Sequence, residues 1–380
     1  MNKTLKICAI IIWLALMLWG LTGVFQRITE GHHLAHYGSY VPWGLWVAAK
    51  IFFVGLAVGA SFLVWITWAF DLPRFKPFVR TALWVAVAAM ISGLLVIIFD
   101  LGHMDRVYEV FTRPNFSSLL AIASWFSMAY LIYLLLAMRV ATGADDGSNT
   151  TRRGMGFLGI FFALLFSGAN GAEFASLIST TYWHTSLGPI LSIAEALLSG
   201  MALVLALAAV LPAEKDAPAP RDIKALSHAV VGLILFLALL EWAEFSVTLW
   251  YGQDEGALAV LFGSYWYVFW IFHLLIGMVL PLVLLLLRPA DRHIAGWAAF
   301  LPAVTMMAVR LNHVIPGQLT PAMEGLRQAY QDQRLRFEYV PSAHEWAVFA
   351  FSIAVCMALF YLGTRFWPLT PAKSANQGGK

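Results

Sequence analysis

The chain has 380 residues, 61% of them hydrophobic and only 12% charged. A soluble domain carries about twice that share of charge, so the composition excludes a soluble enzyme, a nucleic-acid binder and a disordered protein. The formal net charge of +3 is too small to imply a polyanionic partner.

Windows of about 19 residues predict ten apolar spans, at 5–25, 43–70, 81–101, 117–139, 157–178, 189–212, 226–250, 265–287, 293–315 and 345–366. The first is long for a signal peptide and lacks a small-x-small cleavage site, so it reads as a span. The expected fold is therefore an all-α integral membrane protein. Ten spans put both termini on one side. Sixteen of the 24 basic residues lie in the tails and even-numbered connections, seven in or beside the odd ones, and Lys50 lies within a helix. Basic residues mark the cytoplasmic side. This predicts cytoplasmic termini and a single polytopic domain over 1–380, with periplasmic loops at 26–42, 102–117, 179–189, 251–264 and 316–344.

Cytoplasmic connections such as Ala213–Lys224 are short, basic and proline-rich. The periplasmic ones are aromatic and rich in histidine, as in Gly31–Gly44, Gly102–Ser118 and Ser179–Pro189. A membrane-interface belt accounts for much of the Trp and Tyr there but not for the histidines. His32, His33 and His36 form a tract that reads as a solvated loop facing a partner rather than as a metal site.

Ionisable groups inside spans are costly and usually functional. Here they are Lys50, Asp100, Glu173, Glu195, Glu241, Glu244, His273 and Arg310, all in the periplasmic half or near the midplane. Asp100 and His103, Asn170 and Glu173, and Glu241 and Glu244 are each three apart, a spacing that lets a pair share a helix face. Carboxylates in a low-dielectric bundle can exchange protons near neutral pH. Glu173, Glu195, Glu241, Glu244, His273, Lys50 and Arg310 are therefore candidates for proton transfer, exchanging with the periplasmic side. The alternative for each is a structural pair that staples helices together. The two cysteines, Cys8 and Cys356, cannot ligate an iron–sulfur cluster, and no C-x-x-C-H offers covalent haem. A haem held by His273 with His103 or His313 stays open on spacing alone.

Six segments in order resemble the NrfD/PsrC membrane-anchor family, in its ten-span branch with HybB, DsrP and QrcD. They are Val41–Ala48 (VPWGLWVA), Phe99–Gly102 (FDLG), Arg113–Ser118 (RPNFSS), Tyr182–Ser186 (YWHTS) through Gly200, Glu244 late in the seventh span, and Pro341–Pro368. The resemblance implies two four-helix bundles, spans 2–5 and 6–9, flanked by the first and last helices. It also implies a membrane subunit of the bacterial or archaeal cytoplasmic (inner) membrane that binds menaquinone or ubiquinone as a diffusible substrate and holds no haem or iron–sulfur cluster itself. Electrons would pass between the quinone and a periplasmic ferredoxin-like iron–sulfur subunit working with further redox subunits. Asp100 and His103 would do the chemistry, with Tyr40, Trp43, Glu173, Tyr182 and His184 completing the quinone site. Lys50 departs from the family pattern. The rival readings are a proton or ion translocator without quinone chemistry, a passive anchor and a b-type cytochrome.

Overall fold

The computed structural model describes residues 3–142, 149–210, 218–251, 254–321, 325–326 and 337–366. Among the basic residues counted above, Lys215, Arg327, Arg334, Arg336, Lys373 and Lys380 lie outside the described residues. Hydrocarbon offers the backbone no hydrogen-bond partner, so each apolar stretch must satisfy its own N–H and C=O groups as a helix. Among the described residues, ten helices long and apolar enough to cross a membrane result. They are α1 (Lys3–Glu30), α2 (Leu45–Ala69), α3 (Val79–Asp100), α4 (Leu119–Thr142) and α5 (Asn149–Ala175). They continue with α6 (Gly188–Val210), α7 (Pro220–Tyr251), α8 (Val268–Leu287), α9 (Arg292–Val314) and α10 (Ala343–Phe366).

Helices α2–α5 pack as one four-helix group and α6–α9 as a second, while α1 and α10 pair with each other and α10 lies against α3. α2 is the hub: it touches α3 and α5 in its own group and α6 and α9 in the other. Small residues make the central seam possible. A Cβ on Gly59 would strike the backbone carbonyl of Ala196, and one on Gly200 would strike the backbone of Ala60 and Gly59. Close approach of this kind drives helix association where lipid removes the hydrophobic incentive. Trp13 adds a polar tie between the flanking helices, its Nε1–H donating to Ala354 O at 2.9 Å.

The connections sort onto two faces. On one, Ser227 donates to Pro289 O at 2.9 Å, Arg80 to Thr364 O at 2.8 Å, and the Arg292 Nε–H to Ala209 O at 2.8 Å. The other face carries the odd-numbered connections, which interlock. Trp43 N donates to Gln318 Oε1 at 3.0 Å, Tyr182 to Asn312 O at 2.7 Å and Tyr265 to Tyr339 O at 3.0 Å. Helix α8 is unusual in that Val268–Val279 is π-helical, with Leu280 N bonded to Leu275 O.

Candidate functional site

Two polar clusters lie at the odd-loop face. The first surrounds the end of α3. Arg27, only 2% exposed, reaches from α1 and donates from Nε to Phe99 O at 2.7 Å and from Nη2 to Leu101 O at 2.6 Å. A cation on the final carbonyls satisfies a helix terminus and complements its dipole. Asp100 is the last residue of α3, and the Tyr37 hydroxyl donates to its Oδ1 at 3.0 Å. Beside it the Tyr339 hydroxyl donates to Glu345 Oε1 and accepts from Leu45 N at 2.8 Å. Glu345 is fully buried, and its Oε2 accepts from Ser342 N at 2.8 Å and His36 N at 3.2 Å. Burial, reinforced by the Asp100 carboxylate, pushes the Tyr37 hydroxyl well above the usual phenol range. Burial and then Glu345 do the same to Tyr339. Both stay protonated and serve as hydrogen-bond donors. Burial, followed by the Arg27 charge, lowers His32, so its ring is neutral where it packs on Tyr37 and Trp46.

The second cluster walls a cavity of about 90 Å³ at the odd-loop end of α6–α9, closed on one side by α5 and Ile51 of α2. Glu195 of α6 forms an ion pair with Arg310 of α9. Gly55 of α2 makes room for this arginine, since a Cβ there would lie 3.3 Å from Arg310 Nη2. Glu241 of α7 holds His273 of α8, whose Nε2 is 2.7 and 2.9 Å from the two carboxylate oxygens. Glu244 accepts from the Thr185 hydroxyl at 2.8 Å. Asp254 caps the short helix Glu255–Leu261, accepting from Gly256 N and Ala257 N, yet burial still pushes its carboxyl up. Tyr182, another wall residue, is also pushed up by burial first and by the surrounding carboxylates second.

The residues matched by the family model for polysulphide reductase, NrfD, run from 33 to 322. This chain belongs to the NrfD family. It is 27% identical to a selenate reductase subunit of Mesobacillus selenatarsenatis, over 92% of this chain and 91% of that relative. It is 26% identical to the Hdr-like menaquinol oxidoreductase integral membrane subunit of Archaeoglobus fulgidus, over 89% and 87%. The protein NrfD of Escherichia coli is 24% identical over 76% of this chain and 98% of its own length.

In this NrfD-family chain the expected quinone residues divide between different neighbours of the start of α2. Asp100 lies with Tyr37 on the α1 and α10 side. His103 is not on its face, because α3 stops at Asp100 and Leu101 is extended at φ −67° and ψ 131°. The His103 ring is 70% exposed, 3.9 Å from Asp105. Trp43 packs instead on Phe174 and Trp183, beside the cavity. Tyr182 lines the cavity, His184 is exposed with its ring on Ala175 O at 3.0 Å, and Tyr40 stacks on Phe337.

The expected proton-transfer residues gather better. Glu195, Glu241, Glu244, His273 and Arg310 all line the cavity. Lys50 is not on the wall itself but stands behind it, donating to Oδ1 of the lining Asn170 at 2.8 Å, with Glu173 half-buried on the next turn of α5. Asn170 and Glu173, like Glu241 and Glu244, lie on continuous helix as their spacing required. Tyr37, Tyr339, Glu345 and Asn312 are polar residues that the sequence reading did not single out. Counting ionisable groups inside spans misses phenols, amides and residues at a span's edge.

Proposed function

We propose that this chain is the quinone-reactive membrane subunit of a multisubunit oxidoreductase, exchanging electrons between membrane menaquinone or ubiquinone and an iron–sulfur subunit docked on the odd-loop face. That face is assigned to the periplasm and both termini to the cytoplasm of a bacterial or archaeal inner membrane, on the distribution of basic residues. The observation that carries the reading is near-full-length similarity to a protein named as a menaquinol oxidoreductase membrane subunit, joined to a half-buried carboxyl on a phenol at the membrane edge. A shorter match, 21% identical over 31% of this chain, is to the menaquinone reductase integral membrane subunit of Nitratidesulfovibrio vulgaris.

Quinol oxidation gives up two electrons and two protons, so the headgroup needs partners that change protonation. Asp100 takes or returns one proton, with Tyr37 holding it in place. His103 reaches the second oxygen, since an imidazole can both donate and accept a proton. Tyr40, Trp43, Glu173, Tyr182 and His184 would line the approach and limit bulk water. The acidic cavity of α6–α9 supports a proton-handling role for Lys50, Glu173, Glu195, Glu241, Glu244, His273 and Arg310 beside the quinone chemistry.

Asp100→Asn and His103→Ala should each cut quinone-linked electron transfer at least about tenfold, roughly 1.4 kcal/mol of barrier, while assembly with partner subunits survives. Steady-state turnover of the purified complex measures this. Normal turnover in both variants removes the assignment.

A further inference from the structure

The α6–α9 cavity holds more unpaired hydrogen-bonding capacity than its ion pairs explain. Asn312 is 6% exposed and lines the cavity, yet neither its Oδ1 nor its Nδ2 has a partner. Arg310, 2% exposed, likewise leaves its Nε–H unpaired. A buried polar group without a partner costs about 1–3 kcal/mol. An unpaired acceptor and unpaired donors facing the same space are what water satisfies, since it gives and accepts at once. A bare metal cation would meet the donors head-on.

The charge balance points to protons. Four carboxyls face the space, on Glu195, Glu241, Glu244 and Asp254, against the cations Arg310 and His273. His313 and the Tyr182 phenol are the other titratable groups on the wall, and Lys50 stands behind it, held by the lining Asn170. With every carboxyl ionised and His273 protonated the site carries two surplus negative charges. A low-dielectric interior penalises such an excess strongly, and a buried site relieves it by binding protons.

Access is one-sided. At the odd-loop end Glu244, Thr185 and Asp254 form a polar mouth. Toward the even-loop face the same helices present buried Leu198, Met201, Leu205, Leu237, Met278 and Met306.

We propose that this cavity is a hydrated proton-binding site, in which waters anchored on Asn312 link the Glu195–Arg310 and Glu241–His273 pairs and exchange protons with the odd-loop face alone. A proton from that aqueous phase passes the mouth by way of water and settles on the Glu241–His273 pair, cancelling one surplus negative charge. Its release reverses the path. This deepens the proton-handling part of the proposed function and is independent of the quinone part.

The test uses the full chain, free of quinone, in lipid nanodiscs. Brief X-ray hydroxyl-radical labelling read by mass spectrometry should modify Phe245 and Phe269, because radicals form from water in place. Asn312→Leu should lower labelling at both sites at least fivefold while leaving exposed Trp250 unchanged. In unbuffered medium a pH-indicator dye should report a proton taken up between pH 8 and pH 6 by the wild type and lost in Glu241→Gln. Absence of labelling at Phe245 and Phe269 in the wild type, where no variant must fold, overturns the hydrated site. Labelling with no change in Asn312→Leu overturns the anchoring role. Uptake unaltered in a folded Glu241→Gln overturns proton binding at the pair. Because no quinone is present, any of these failures is separate from failure of the quinone assignment.

Discussion

Arg310 and Glu195 form a pair buried on both sides, with side-chain exposures of 2% and 9%. Removing one partner of a buried pair leaves a charge with neither water nor counter-ion, a loss of roughly 3–5 kcal/mol, whereas replacing both with apolar groups of similar bulk is often close to neutral. Arg310→Leu should therefore depress thermal stability in detergent far more than Arg310→Leu combined with Glu195→Leu. If the double variant is as unstable as the sum of the singles, the two side chains are not coupled and the pair is not a structural unit. The same scale shows what the sequence made legible. Glu195, Glu241, Glu244, His273 and Arg310 stood out because charge inside an apolar span is rare, and they do converge. Asp100 and His103 looked like a shared face only while α3 was assumed to continue. The helix stops at Asp100 on the carbonyl caps supplied by Arg27, and spacing arguments fail past a helix end.

Among elements, the α2–α6 seam decides how the two bundles meet. A Cβ on Gly200 would collide with the backbone of Ala60 and Gly59, which cannot rotate away. Gly232 of α7 is the natural contrast, since a Cβ there meets nothing within 4 Å. Gly200→Val should lower the melting temperature sharply or abolish folded expression, and Gly232→Ala should leave it unchanged or slightly raised, because alanine favours helix over glycine by about 1 kcal/mol. Equal behaviour of the two variants in a fluorescence-detected melt would show that the seam tolerates separation. All ten spans were legible from hydropathy, but their ends were not. α5 begins at Asn149 rather than 157, and α7 at Pro220 rather than 226. Hydropathy marks the apolar part of a helix, and polar turns continue it beyond that part. The π-helical stretch Val268–Val279 left no trace in composition, although it carries His273 to Glu241.

For the whole molecule the two faces differ in what they offer a partner. The odd-loop face exposes apolar side chains outside the spans: Tyr108 at 58%, Phe116 at 77% and Ile178 at 78%. They sit on connections longer than a tight turn requires, and long ordered loops usually serve a task. Exposed aromatics near a polar rim are the composition of an interface centre. The opposite face presents exposed charge instead, at Arg74 on the link after α2 and at Arg221 in the first turn of α7, the latter with 83% of its side chain exposed. The proposed headgroup position beside Asp100 also requires the partner's cluster to sit on the face that Asp100 adjoins. A photo-reactive residue at Tyr108 or Phe116 should therefore capture an iron–sulfur subunit in native membranes, identified by mass spectrometry of the conjugate. The same probe at Arg74 or Arg221 should capture none. Arg334, on the longest odd connection, is a third probe position on the same face by sequence order and lies outside the described residues. Capture confined to Arg74 or Arg221 would put the redox partner on the even-loop face, reverse the assigned orientation, and separate Asp100 from any acceptor by the thickness of the membrane.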